Sequence, residues 1–173
     1  DGGGALINQG IHGLDLLLHL AGDIASVQAY TDVRAHENIE VEDTCVAAVK
    51  YANGALGVIQ ATTSIHPDFQ QRIEIHGSEG TIILDGTEDV WIKHWETFKD
   101  GYREVEEPAP VEHSGAAAVL EEGGEAHARQ IQDFVASIRE NREPLVNGVE
   151  GRRSLAVVRA IYESAAQGKE ITV

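Results

Sequence analysis

Gly2-Gly3-Gly4-Ala5-Leu6-Ile7-Asn8-Gln9-Gly10-Ile11-His12-Gly13-Leu14-Asp15-Leu16-Leu17-Leu18-His19-Leu20-Ala21-Gly22 sorts its apolar and polar residues by helical period. At roughly 100° per residue, Asn8, His12, Asp15 and His19 fall within about 60° of one another. Ile7, Ile11, Leu14, Leu17 and Leu18 gather on the opposite side. The stretch therefore reads as one helix with a packing side and a polar stripe. Gly22 suits the position just past its C-terminus.

Side chains four residues apart stack along a helix, so Asn8 reaches toward His12, and Asp15 stands one turn further on. Imidazole is the side chain that titrates nearest neutrality, and a neighbouring carboxylate or amide fixes its tautomer. The stripe is thus a candidate acid/base site, with a solvated helix face as its plain alternative. His12, Asp15 and His19 also have a spacing that could ligate a metal, but no supporting outer shell is visible in the sequence.

The remaining pattern is β and then α. Val27, Ala29 and Thr31 alternate with polar residues, and 44–51 and 56–63 flank Ala52-Asn53-Gly54-Ala55, a strong hairpin signal. Arg72–Ile75 turns through Gly77–Gly80 into Thr81–Asp85, and Val90–Trp95 follows, so the connections predict an antiparallel meander. Residues 100–124 are acidic and rich in Pro, Gly and Ala, and read mostly as a loop beyond a possible strand at its start; His113 within it receives no role. Glu125–Asn141 predicts a helix with Ile131, Phe134, Val135 and Ile138 on one side. A further helix over Gly148–Gln167 ends at Gly168 and leads into the strand 171–173. The sum is an α+β domain with helices on one face of a mainly antiparallel sheet.

With 42% hydrophobic residues in 173, the chain has material for one core rather than two. Its net charge of −16 opposes nucleic acid or an anionic membrane surface as partner. Apolar runs fall short of a membrane span and no secretion signal is seen, so a cytoplasmic location is expected. Cys45 is the only cysteine, which excludes an internal disulfide, and its apolar neighbours mark it as a structural thiol. Neither Gly-x-Gly-x-x-Gly nor a P-loop sequence occurs, so no dinucleotide-binding unit is recognisable.

The run GGGALINQGIHGLDLL followed by a Gly resembles the signature that opens the C-terminal domain of the Gfo/Idh/MocA (glucose-fructose oxidoreductase/inositol dehydrogenase) family. Ile75-His76-Gly77-Ser78-Glu79-Gly80-Thr81-Ile82 resembles the family's Gly-x-x-Gly hairpin, and the last fifty residues resemble its closing helices and strand. The Asn-Gln-Gly-Ile-His-Gly version is most similar to the members that oxidise nucleotide-linked amino sugars.

The resemblance implies that 1–173 is a single substrate-binding and oligomerisation domain, separated from an N-terminal Rossmann domain. The parent enzyme would pass hydride from a secondary alcohol of a sugar, cyclitol or nucleotide-sugar to NAD or NADP, which the absent domain would bind. Carried over by position, His12 matches the catalytic histidine beside the substrate hydroxyl, Asp15 an acidic substrate contact, and His127 a histidine preceding the Gln-Ile-x-Asp-Phe run. Asn8 departs from the Asp of many members, and since an amide takes no proton it could only orient a group. The free sheet face would pair subunits into a homo-oligomer, and the isolated chain would be catalytically silent. A stand-alone binding or scaffold domain of the same fold is the competing expectation.

Overall fold

Alternation of small apolar and polar residues in three consecutive segments builds the central sheet. A computed structural model describes residues 2–67, 69–86, 90–105 and 116–173. Strands β1 (Ile24–Asp32), β2 (Thr44–Tyr51) and β3 (Leu56–Thr62) pair antiparallel, and β8 (Ile171–Thr172) joins the other edge of β1, giving the order β3-β2-β1-β8. The Asn53-Gly54 turn forms as the sequence predicts: Gly54 takes φ 91°, which a Cβ disfavours, and Asn53 Oδ1 accepts the Ala55 N–H at 3.0 Å.

The inward residues Val27, Ala29, Cys45, Ala47, Val49, Ile59 and Ala61 meet Leu14 and Leu18 of α1 (Ile11–Ala21) and Val157, Val158 and Ile161 of α3 (Gly148–Gln167). Asn147 caps α3 by accepting the N–H groups of Val149 and Glu150, and Gly168 ends it in the left-handed conformation. Ser164, fully buried, closes a gap that β8 is too short to fill. Its hydroxyl accepts the Ala29 N–H at 3.0 Å and donates to the Lys169 carbonyl at 2.6 Å.

The domain is α+β as expected, but its strands divide over two sheets. β4 (Arg72–Gly77), β5 (Gly80–Asp85), β6 (Trp91–Thr97) and β7 (Gly101–Arg103) form a second antiparallel sheet in that order. Residues 63–71 separate β3 from β4 instead of turning one onto the other, and Pro67 among them has no N–H to offer a ladder. The second sheet touches the rest through β4 against α1. Asp85 ties its strands together, accepting from Arg72 Nε and Lys93 Nζ at 2.7 Å each.

The expected loop over 100–124 requires correction. The strand possible at its start is there as β7, but α2 runs Ala116–Glu140, nine residues before the expected Glu125. The loop reading rests on the acidic, Gly- and Ala-rich composition, but the alanines from 116 and Leu120 favour helix. His113 lies outside the described residues. Asp133 anchors the chain leaving α2, accepting Arg142 Nη2 at 2.9 Å and the Leu145 N–H at 2.7 Å. The apolar side of α2, with Ile131, Phe134 and Ile138, is exposed. Among the described residues no helix is long and apolar enough to cross a membrane.

Candidate active site

The helix carrying the polar stripe does not begin as an α-helix. Leu6–Gly10 is a π turn that passes into α1 at Ile11. Glu42, from the strand-entry segment before β2, sets this turn. Its Oε2 accepts the Gly4 N–H and its Oε1 the Leu6 N–H, both at 3.0 Å, while its backbone carbonyl accepts Ala5 N–H at 3.0 Å. Three donors that open a helix without intrahelical partners are thereby satisfied, and a carboxylate sits where the helix dipole favours negative charge. Tyr162 of α3 donates its hydroxyl to the same Oε1 at 2.9 Å. Burial, and then Glu42 itself, push the phenol up to about 12, so it stays a donor at neutral pH. The close approach requires Gly4, because a Cβ there would lie 1.8 Å from the Glu42 carbonyl oxygen.

Asn8, His12, Asp15 and His19 are all exposed, while Leu6, Leu14 and Leu18 are buried. The stripe is therefore on the outer side of the helix, as its period predicts. The four do not share one hollow. Asn8, with Gln9 beside it, borders an open concavity of ≈ 280 Å³ lined also by Gly3–Ala5, the loop residues His36 and Ile39, and Thr63; His12, Asp15 and His19 are not part of its wall. His127 is exposed on α2 and is not part of that wall either. Among the described residues no group of three or more His, Cys, Asp or Glu side chains could hold a metal ion, so the metal alternative for His12, Asp15 and His19 is dropped.

Sequence reasoning missed His36 and Asp43. Asp43 is 1% exposed and accepts the N–H groups of Arg34, Ala35 and His36, the Thr44 hydroxyl and His36 Nδ1. The signal was there in form, since an Asp seven residues after a His can close a loop upon it, but no periodicity marks such a pair. Cys45, fully buried, has its thiol pushed up to about 11 by burial and then by Glu42, which makes it inert.

A family model described as "Oxidoreductase family, C-terminal alpha/beta domain", that of Gfo/Idh/MocA proteins, matches residues 1–173. The crystal structure of the WlbA dehydrogenase from Bordetella pertussis, in complex with NADH and UDP-GlcNAcA, is 34% identical with a TM-score of 0.76, covering 99% of this chain and 48% of that one. D-apiose dehydrogenase from Rhizobium rhizogenes is 28% identical over 95% of this chain and 47% of its own length. Myo-inositol 2-dehydrogenase from Thermotoga maritima is 24% identical over 98% of this chain and 49% of its own length. The chain thus spans about half the length of the curated relatives it matches.

Proposed function

Because the chain belongs to the Gfo/Idh/MocA oxidoreductase family through that family's C-terminal domain, we propose that it is the substrate-binding half of an NAD(P)-dependent dehydrogenase acting on a secondary alcohol of a sugar, cyclitol or nucleotide-sugar. The observation that carries this reading is the exposed Asn8/His12/Asp15 stripe, begun by a π turn that Glu42 and Tyr162 hold from two other elements. π turns of this kind recur at functional sites. His12 takes the proton of the alcohol, while Asn8 and Asp15 hold the substrate, Asn8 through hydrogen bonds alone. His127 is the fourth proposed substrate contact.

A nicotinamide dinucleotide supplies the hydride acceptor when bound, as the NADH in the WlbA complex suggests. The residues described here do not fit its pyrophosphate. Every strand pair is antiparallel, and no strand–turn–helix unit presents a helix N-terminus to it. The proposal therefore assigns the cofactor to an N-terminal Rossmann half, a partner that the uncovered Ile131/Phe134/Ile138 side of α2 also suits. NAD-linked turnover of a panel of sugars, cyclitols and nucleotide-sugars tests the whole. The longer protein should oxidise at least one compound and this chain alone none; turnover by the chain alone defeats the division of labour.

The outer face of the first sheet supports a homo-oligomer. Tyr30 (73% exposed) on β1 and Leu56 (77%) and Val58 (72%) on β3 stand there on either side of β2, an apolar surface suited to an isologous dimer. Val58→Glu should convert a dimer to monomers in sedimentation velocity without lowering the melting temperature of the monomer. An unchanged sedimentation coefficient would place the contact elsewhere. Asn8 in place of Asp is the one feature that favours a binding domain without chemistry.

A further inference from the structure

The loop between β1 and β2 holds a histidine–carboxylate pair that the chemistry proposed above does not use. His36 Nδ1 lies 3.1 Å from Asp43 Oδ2, and the same carboxylate accepts the Arg34, Ala35 and His36 N–H groups at 2.8 to 3.0 Å. Burial opposes its charge, but the N–H groups of His36, Ala35 and Arg34 outweigh burial and hold it well below the usual carboxylate range. An ionised carboxylate only accepts hydrogen bonds. The hydrogen of the neutral imidazole therefore sits on Nδ1, and Nε2 keeps its lone pair. The ring is half-exposed and forms part of the wall of the ≈ 280 Å³ concavity beside Asn8 and Gln9.

The wall also selects the chemistry of an occupant. Glu42 and Asp43 belong to it, and among the described residues that line it there is no Lys or Arg, so a phosphate or carboxylate group is disfavoured. Asn8 and Gln9 each offer an amide donor and an amide acceptor, which match hydroxyls that both give and take hydrogen bonds. We propose that this concavity binds the neutral polyhydroxylated part of the substrate, with His36 Nε2 accepting a hydrogen bond from one of its hydroxyls. His36 is then a specificity-determining residue. This rests on the substrate-domain reading above, and its test separates the two.

The 173-residue chain, labelled with nitrogen-15, is titrated with myo-inositol, D-apiose and UDP-GlcNAcA in turn while imidazole and amide resonances are followed. In the free protein the neutral form of His36 should carry its hydrogen on Nδ1. At least one ligand should shift its Nε2 resonance together with the signals of Asn8. His36→Phe should weaken that ligand roughly tenfold, and His36→Gln, which restores an acceptor oxygen, should recover part of the loss. Both changes alter the group that faces the buried Asp43 carboxylate, so the affinities are compared at temperatures where both variants remain folded. If Asn8 and His12 respond while Nε2 stays fixed, or if free His36 carries its hydrogen on Nε2, the inference fails and the domain reading stands. If Asn8, His12 and His36 are all silent toward the three compounds, the substrate-domain reading fails first.

Discussion

His12→Ala in the longer protein that carries this chain is expected to lower kcat by about two to four orders of magnitude, the range for loss of a positioned acid or base. The melting temperature should hardly change, since His12 is exposed on α1 and surface substitutions of that kind cost within about 0.5 kcal/mol. In the proposed division of roles, with His12 acting in the transition state and Asn8 and Asp15 holding the ground state, KM should move much less than kcat. Retention of kcat within about threefold would remove His12 from the chemistry and favour the binding-domain alternative, which Asn8 already makes conceivable by offering no proton acceptor.

Gly4→Ala is expected to cost about 3 kcal/mol, at the upper end for overpacking. The new Cβ would stand 1.8 Å from the Glu42 carbonyl oxygen and 2.4 Å from its Oε2, and a backbone atom cannot swing aside as a side-chain end can. Relief requires parting the helix start from Glu42, which breaks the bonds to the Gly4, Ala5 and Leu6 N–H groups. At about 2–4 °C per kcal/mol for a chain of this size, melting should fall by roughly 6–12 °C. Gly151→Ala is the control, since a Cβ there meets nothing within 4 Å and the residue lies inside α3. It should leave stability unchanged or raise it by up to about 1 kcal/mol. Equal melting of Gly4→Ala and the parent chain would show that Glu42 does not fasten the helix start as tightly as its geometry implies.

The two substitutions divide along what short-range pattern reveals and what it does not. Periodicity alone located the bounds of α3, the Asn53-Gly54 hairpin, the buried Cys45 strand, and the outward stripe of Asn8, His12, Asp15 and His19. Each depends on residues within a turn or a strand of one another, so the constraint is written in neighbouring letters. A family resemblance added the functional reading proposed for that stripe, which spacing could not supply.

Other features depended on partners far along the chain. Glu42 imposes the π turn on a segment whose letters read as plain α-helix, across sequence separations of 36 and 38 residues. The 63–71 connection parts one expected meander into two sheets, and α2 begins early through helix propensity that the acidic, Gly- and Ala-rich composition masked. His36 meets a carboxylate only because Asp43 is buried at the mouth of β2, where three backbone N–H groups converge on it. Local pattern thus determined which faces are apolar and which are polar. Tertiary structure alone decided which buried acceptor each opening backbone donor finds, because an unpaired group taken from water is costly and the nearest acceptor in space is seldom the nearest in sequence.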